Sequence, residues 1–230
     1  VEIGKKEAWQ KRVSSTNAEK TLIPYLKSRG LSHLDVLVLT HTDTDHMGDM
    51  LEVAKHFSIK EIYVSKGSLT QSDFVEKLER MQTRVHAVEV GDSLPIFDSA
   101  LQVLYPEDTG DGSNDDSVVL YGKFFGTSFL FTGDLEENGE AALMGRFPQL
   151  KVDVLKAGHH GSKGSSSPEF LHQLQPQIAL ISAGKNNRYK HPHQETLDRF
   201  KNIQTRIFRT DEQGAIRFSG WDSWQIETVK

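Results

Sequence analysis

The stretch that decides the fold reads Val36-Leu37-Val38-Leu39-Thr40-His41-Thr42-Asp43-Thr44-Asp45-His46. Its apolar start predicts a buried strand, and the turn after it carries four potential metal ligands within six residues. Because residues i and i+2 of an extended segment project to the same side, His41 and Asp43 are predicted to share one metal ion. Asp45 and His46 are predicted to turn toward a second ion. A lone Asp would more simply be a solvated side chain or a helix cap, but a cluster this dense predicts a site for chemistry.

Composition limits the class of protein. The 230 residues are 37% hydrophobic and 26% charged, which is typical of a globular domain with a sizeable core. The lack of cysteine excludes disulfides, thiolate zinc sites and a Cys nucleophile. A net charge of -5 argues against a broad basic face for nucleic acid, so such a substrate must be held locally by metal and a few Lys or Arg. The sequence shows neither a signal peptide nor an apolar run of the roughly 20 residues that span a membrane.

The pattern along the chain predicts an α/β fold with mixed sheets flanked by helices, and one domain over residues 1–230. A capping box at Thr16 and Glu19 predicts a helix that ends at Gly30. Residues 106–115 predict a polar surface loop. The predicted strands cover 35–40, 61–64, 85–90, 94–97, 101–104, 118–124, 128–131, 152–155 and 178–182, followed by three more. The predicted helices cover 45–56, 73–81, 140–144, 169–174 and 195–200.

Further candidate ligands follow other predicted strands. Asp134 comes after an apolar run and a glycine, His159 and His160 follow the next strand, and His191 and His193 follow a later one. Because strand ends meet at one rim of a sheet in α/β proteins, these side chains are predicted to come together. Taken singly, a Gly-Asp pair is more often a turn, and His193 more simply opens the helix after it.

Five segments together resemble a known family. They are 39–46, Asn114-Asp115-Asp116-Ser117-Val118-Val119-Leu120, Thr132-Gly133-Asp134, His159-His160-Gly161-Ser162-Lys163 with Ser165-Ser166-Ser167, and Tyr189-Lys190-His191-Pro192. Their order is similar to the metallo-β-lactamase superfamily, whose signature is His-x-His-x-Asp-His followed by a distant Asp and His. The closer similarity, from about Thr21 to Phe218, is to the carboxy-terminal domain of ComEC/Rec2-type DNA-uptake proteins of competent bacteria.

The resemblance implies a metallo-β-lactamase-like αββα sandwich and two divalent metal ions, Mn²⁺ or Zn²⁺, with Mg²⁺ possible. The implied ligands are His41 and Asp43 for the first ion, Asp45, His46 and His160 for the second, and Asp134 between the two. His159 is an alternative to His160 as the ligand.

Two departures from the family pattern concern the first metal ion. Asp43 stands where the superfamily usually has His, and the third His of that ion has no counterpart, with Asn114 or Asp115 nearest in order. Both changes favour oxygen ligands and therefore Mn²⁺ or Mg²⁺. The first hairpin of the superfamily is also missing, so the chain is expected to be an amino-terminally truncated fragment of a larger membrane protein.

The resemblance implies a nuclease that degrades one DNA strand during uptake by two-metal phosphodiester hydrolysis. The implied catalytic residues are Asp45, His159 and His191, and the residues expected to contact substrate are Asn114, Lys163 and Arg188. The implied partners are single-stranded DNA and the channel domain of the parent protein, on the extracytoplasmic face of the bacterial cell membrane.

Two other functions stay open from the sequence. One is a related hydrolase that acts on a small phosphoester or a thioester. The other is a non-catalytic metal- or DNA-binding module of the uptake channel, which would retain metal but show no turnover.

Overall fold

The computed structural model describes residues 16–96, 99–220 and 224–229. The strands in these ranges are β1 (His33–Leu39), β2 (Ser58–Ser65), β3 (Arg84–Val88), β4 (Ser93–Ile96), β5 (Ser99–Tyr105), β6 (Val119–Phe124), β7 (Thr127–Phe131), β8 (Val154–Lys156), β9 (Ile178–Ile181), β10 (Arg206–Arg209), β11 (Ala215–Ser219) and β12 (Gln225–Val229). The α-helices are α1 (Asn17–Lys20), α2 (Leu22–Ser28), α3 (Thr44–Met47), α4 (Met50–His56), α5 (Ser72–Met81), α6 (Glu137–Arg146), α7 (Pro168–Leu174), α8 (Gln194–Asn202) and α9 (Thr210–Gln213). Short 3₁₀ helices cover Gly67–Thr70, Asn114–Asp116 and Gly158–Gly161.

The strands form two main sheets and a hairpin. The smaller sheet has the order β1-β2-β3 and is parallel throughout. The larger has the order β10-β9-β8-β7-β6-β5-β4, antiparallel from β4 to β7 and parallel from β7 to β10. The hairpin pairs β11 with β12. The predicted α/β class with mixed sheets is therefore confirmed.

Side-chain alternation along β1 shows how the layers are stacked. Val36 and Val38 pack between the two sheets with residues such as Val103 of the large sheet, whereas Leu37 and Leu39 pack against the helices on the other face. This period of two is what a strand between two apolar layers requires. The outer face of the large sheet is covered by α6, α7 and α8, so the layer order is helices, sheet, sheet, helices.

Backbone hydrogen bonds fasten the end of β1 to the large sheet. The N–H of Val118, just before β6, donates to the carbonyl of Thr40 at 2.9 Å. The N–H of Thr42 donates to the carbonyl of Gly112, also at 2.9 Å. The residues after β1 are thereby held against the loop that enters β6.

The helix predicted over 45–56 is wrong as one continuous element. The structure has α3 and α4, which are separated at Gly48 and Asp49. The Asp49 carboxylate accepts a hydrogen bond from the N–H of Ala18 at 2.8 Å, which ties the interruption to α1. The capping box of Thr16 and Glu19 is confirmed, but the helix it starts is likewise interrupted, at Thr21.

Two further points concern the described ranges. The last residue of the strand predicted at 94–97 lies outside them. None of the helices within them has the length and apolar content of a membrane span.

Replacement of Glu140 by Gln is expected to lower the free energy of unfolding by about 1–3 kcal/mol. The buried Glu140 carboxylate accepts the backbone N–H groups of Ser166 and Ser167, and Gln would turn an amide donor toward one of them. Urea denaturation measures the loss, and Glu137→Gln on the exposed side of the same helix is the matched control. Equal stabilities of the two variants would contradict this role of Glu140.

Candidate metal site

The candidate ligands lie just past the ends of strands from two different sheets. His41 follows β1 of the small sheet, whereas Asp134 follows β7 and His160 follows β8 of the large sheet. The prediction that all of them share the rim of a single sheet is therefore wrong. The contacts between the end of β1 and the segment before β6 bring the two rims together instead.

Four predicted ligands converge on one point. One ligand atom from each lies within 4.8 Å of every other, and the four residues are Asp45, His46, Asp134 and His160. His46 Nε2 and His160 Nε2 are 3.1 Å apart. His160 Nε2 is also 3.2 Å from Asp45 Oδ2 and 3.4 Å from Asp134 Oδ2. Two imidazoles and two carboxylates form a donor set that divalent metals bind in proteins.

The hydrogen bond on the far side of the His160 ring determines what its Nε2 can do. Nδ1 lies 2.7 Å from the carbonyl oxygen of Ser182, which can only accept, so Nδ1 carries the proton. Nε2 therefore presents a lone pair toward the cluster. His46 Nε2 lies 3.1 Å from His160 Nε2, and two lone pairs this close repel each other unless a proton or a cation is shared between them. A metal ion bound by both nitrogens would meet this requirement.

Asp134 is the most buried carboxylate of the cluster, at 2% exposure. Its Oδ1 lies 3.1 Å from His46 Nε2, but the atoms are not aligned for hydrogen bonding, and among the described residues Oδ1 has no hydrogen-bond partner. Burial raises the pKa of Asp134, but the His46 ring and the charge of Lys156 outweigh burial and hold it below its usual range. The group is thus an ionised carboxylate with a free oxygen, as a metal ligand must be.

Gly133 allows Asp134 to reach this position. Its φ of 56° lies in the left-handed region, and a Cβ there would come within 2.8 Å of the Ser117 side chain. Ser117 Oγ in turn accepts the N–H of Asp134 at 3.0 Å. Glycine at this position thus permits the close approach of the backbone to Ser117.

His41 and Asp43 lie beside the cluster but not within it. His41 Nε2 is 3.9 Å from Asp43 Oδ2. The His41 ring is fully buried, and its Nε2 finds no hydrogen-bond partner in the described part of the chain. Burial, followed by the charge of His46, lowers the pKa of His41 to about 4. The first of the two predicted ions, expected at these two residues, stays a prediction.

A lysine not predicted as a ligand also reaches the cluster. Lys156, at the end of β8, donates from Nζ to the carbonyl of Gly133 at 2.8 Å and lies 3.6 Å from Asp134 Oδ1. Burial lowers the pKa of Lys156, while the Asp134 carboxylate raises it in partial compensation.

His159 lies next to the cluster, beside Asp134. Its Nδ1 donates to Glu136 Oε1 at 2.8 Å, because a carboxylate can only accept. Its Nε2 then carries a lone pair 3.9 Å from Asp134 Oδ2. His159 and His160 both have positive φ, 41° and 53°, a conformation that is uncommon for non-glycine residues.

His191 and His193 lie further out. The His191 ring centroid is 5.4 Å from that of His159, and burial followed by the charge of His159 lowers the pKa of His191 to about 4. His193 stands at the N-cap of α8, and its Nδ1 accepts the N–H of Lys163 at 3.1 Å. This position agrees with the structural role predicted for His193, which is to open the helix that follows it.

The predicted substrate residues have different surroundings. Asn114 Nδ2 is 3.4 Å from His159 Nδ1, and Lys163 is exposed on the surface. Arg188 lines two adjoining cavities of about 990 and 320 Å³, which share Asp45 and Tyr189 among their lining residues. The Arg188 guanidinium lies 4.5 Å from the centre of the Tyr189 ring and donates to its hydroxyl. Of the three, Arg188 is the one placed beside both the cluster and open space.

Sequence reasoning did not assign roles to several residues that shape the site. Glu136, Ser117 and the Ser182 carbonyl each fix one ligand or its neighbour. Glu136 opens α6, where an acidic residue is expected for the helix alone, so nothing in its sequence context marked it.

Comparison with known proteins identifies the class to which this chain belongs. The model of the metallo-beta-lactamase superfamily matches residues 7–185, and the chain belongs to that superfamily. The metallo-beta-lactamase fold protein YhfI from Bacillus subtilis superposes with a TM-score of 0.55 at 11% identity, over 85% of this chain and 81% of that one, a likeness of fold alone.

Two relatives place the chain more closely. It is 43% identical over 217 residues to ComE operon protein 3 of Bacillus subtilis, covering 92% of this chain and 28% of that protein. It is 33% identical over 205 residues to competence protein ComA of Neisseria gonorrhoeae, covering 87% of this chain and 27% of that protein. The chain thus spans about a quarter of the length of these relatives, and the predicted family resemblance is confirmed.

The stability of the metal-free protein is expected to fall as the pH drops from 6.5 toward 4. In this window the unfolded chain protonates His41, whereas the folded chain, in which its pKa is about 4, does not. The loss attributable to His41 is up to about 3 kcal/mol. Urea denaturation in chelator across this range measures it, with the plateau above pH 7 as reference. An unchanged slope in His41→Gln would contradict the assignment.

Proposed function

We propose that this chain is a metal-dependent hydrolase domain that cleaves phosphodiester bonds in single-stranded DNA. The observation that carries the proposal is the convergence of Asp45, His46, Asp134 and His160 at the meeting point of the two sheets. Membership of the metallo-beta-lactamase superfamily supports hydrolysis as the reaction class. Because half of the donor set is carboxylate, Mn²⁺ is favoured over Zn²⁺, with Mg²⁺ as the other hard-metal candidate.

The four clustered residues and the neighbouring histidines have different roles in the proposed reaction. A divalent ion held by the four residues would activate water and neutralise charge on the attacked phosphate. His159 is oriented by Glu136 and presents the Nε2 lone pair, so it is suited to take up a proton and pass it to the leaving oxygen. His191 was the other candidate, but with a pKa of about 4 it is neutral near pH 7 and is a poor proton donor there.

The surroundings of the cluster support a polymeric substrate. The larger cavity, about 990 Å³, adjoins Asp45 and carries Arg188 on its wall. A guanidinium oriented by the Tyr189 ring can bind a phosphate that neighbours the one being cleaved. A small phosphoester has no such second phosphate. With a net charge of -5, the chain would rely on local contacts of this kind.

The relatives support a setting in DNA uptake. In this proposal the chain is one domain of a larger bacterial membrane protein, on the extracytoplasmic side, where it degrades one strand of incoming DNA beside the channel domain. The chain covers about a quarter of those relatives, so the setting rests on the similarity to competence protein ComA and to ComE operon protein 3.

Asp45→Ala and Asp134→Ala are each expected to lower the cleavage of end-labelled single-stranded DNA in Mn²⁺ by about 10²-fold or more, because each removes a ligand. Chelator should abolish cleavage by the wild-type chain. Asp198→Asn, at an exposed position of α8, is the control. Full cleavage by both ligand variants would refute the site, whereas bound Mn²⁺ without wild-type turnover would favour the non-catalytic module.

Arg188→Ala is expected to raise KM for single-stranded DNA by about tenfold, through loss of a charged hydrogen bond, with little change in kcat. Turnover of bis(p-nitrophenyl) phosphate, which has only one phosphate, should stay constant. Lys190→Ala is the matched control, since Lys190 is an exposed cation of the same loop that is not among the residues lining the two cavities. Equal losses on both substrates would favour a small-phosphoester hydrolase.

A further inference from the structure

The Lys156 ammonium occupies an unusual place for a lysine. It comes from the end of β8 and approaches Asp134 Oδ1 at 3.6 Å, while Nζ is anchored by the Gly133 carbonyl at 2.8 Å. Its side chain is 18% exposed, so the charge is held against the cluster and not extended into solvent. Lysines usually extend the ammonium into water, and a buried one needs a negative partner.

Asp134 Oδ1 is the oxygen that Lys156 approaches, and it also lies 3.1 Å from His46 Nε2 of the four-residue cluster. Oδ2 faces His160 at 3.4 Å. A second ion that shared Oδ1 would therefore lie beside the Lys156 ammonium. The ligands predicted for that ion are His41 and Asp43, which lie outside the cluster with Nε2 and Oδ2 3.9 Å apart.

We propose that the Lys156 ammonium takes the place of the metal ion predicted at His41 and Asp43, so that the chain binds a single divalent cation. This inference rests on the proposed metal-binding role of the same site, and it revises the two-ion arrangement predicted from the sequence. The four-residue cluster holds the one ion. Lys156 supplies the second positive charge beside Asp134 without a further set of ligands.

Electrostatics supports one ion over two. A dication bound at Oδ1 would lie close to an ammonium that the Gly133 carbonyl holds in place, and like charges at this separation in a partly buried site repel strongly. The ion predicted at His41 and Asp43 also lacks the third imidazole of the family pattern. A lysine ammonium is a compact point charge that can contact a phosphate oxygen. It can therefore neutralise phosphate charge, which is one of the functions of a metal ion at such a site.

The test is the stoichiometry of Mn²⁺ binding to the full chain, measured without DNA by isothermal titration calorimetry and by electron paramagnetic resonance. We expect one Mn²⁺ per wild-type chain and the spectrum of an isolated ion. Two ions per chain, or a spin-coupled pair of ions, would overturn the inference. This experiment measures binding and not cleavage. If the chain binds one ion here but fails to cut DNA in the cleavage assay, the proposed function is refuted and the single-ion inference is not.

Lys156→Met provides the second arm. Removing the charge while keeping the length should let His41, Asp43 and Asp134 Oδ1 take a second, weaker ion, which raises the stoichiometry from one toward two. Lys151→Met, an exposed lysine just before β8, should stay at one. A folded Lys156→Met protein that still binds one ion would overturn the stand-in role. If that variant does not fold, the wild-type spectrum still decides between one ion and two.

Discussion

The site depends on keeping an ionised carboxylate inside the protein. Asp134 is 2% exposed, and an unpaired buried charge of this kind costs several kcal/mol. The protein offsets that cost with His46, His160 and Lys156 around the two oxygens. His46 and Lys156 both approach Oδ1, while His160 approaches Oδ2, so the carboxylate stays ionised and available to a divalent cation.

The two-sheet architecture follows from the same requirement. Asp134 and His160 come from adjacent parallel strands of the large sheet, but His46 comes from the helical turn after β1 of the small one. The bond between the Val118 N–H and the Thr40 carbonyl closes the gap between the sheets at this level. A residue larger than glycine at 133 would collide with Ser117, so the junction is sterically as well as electrostatically constrained.

Much of the fold and of the ligand set could be predicted from the sequence. The run that ends at His46 predicts both a strand and a turn of candidate ligands, and the three strands after residue 200 are also predicted. The break at Asp49 could not be foreseen, because it depends on a tertiary hydrogen bond to Ala18. The preference for His160 over His159 in the cluster likewise depends on a distant group, the Ser182 carbonyl that fixes its tautomer. Lys156 and Glu136 looked like ordinary strand-end and helix-start residues, because their significance lies in what packs against them.

The most direct measurement is a crystal structure of the Mn²⁺-soaked protein with anomalous diffraction recorded at the manganese edge. We expect one anomalous peak per chain, coordinated by Asp45, His46, Asp134 and His160, with Lys156 still beside Asp134 Oδ1. A peak outside these four residues, or none at saturating Mn²⁺, would contradict it.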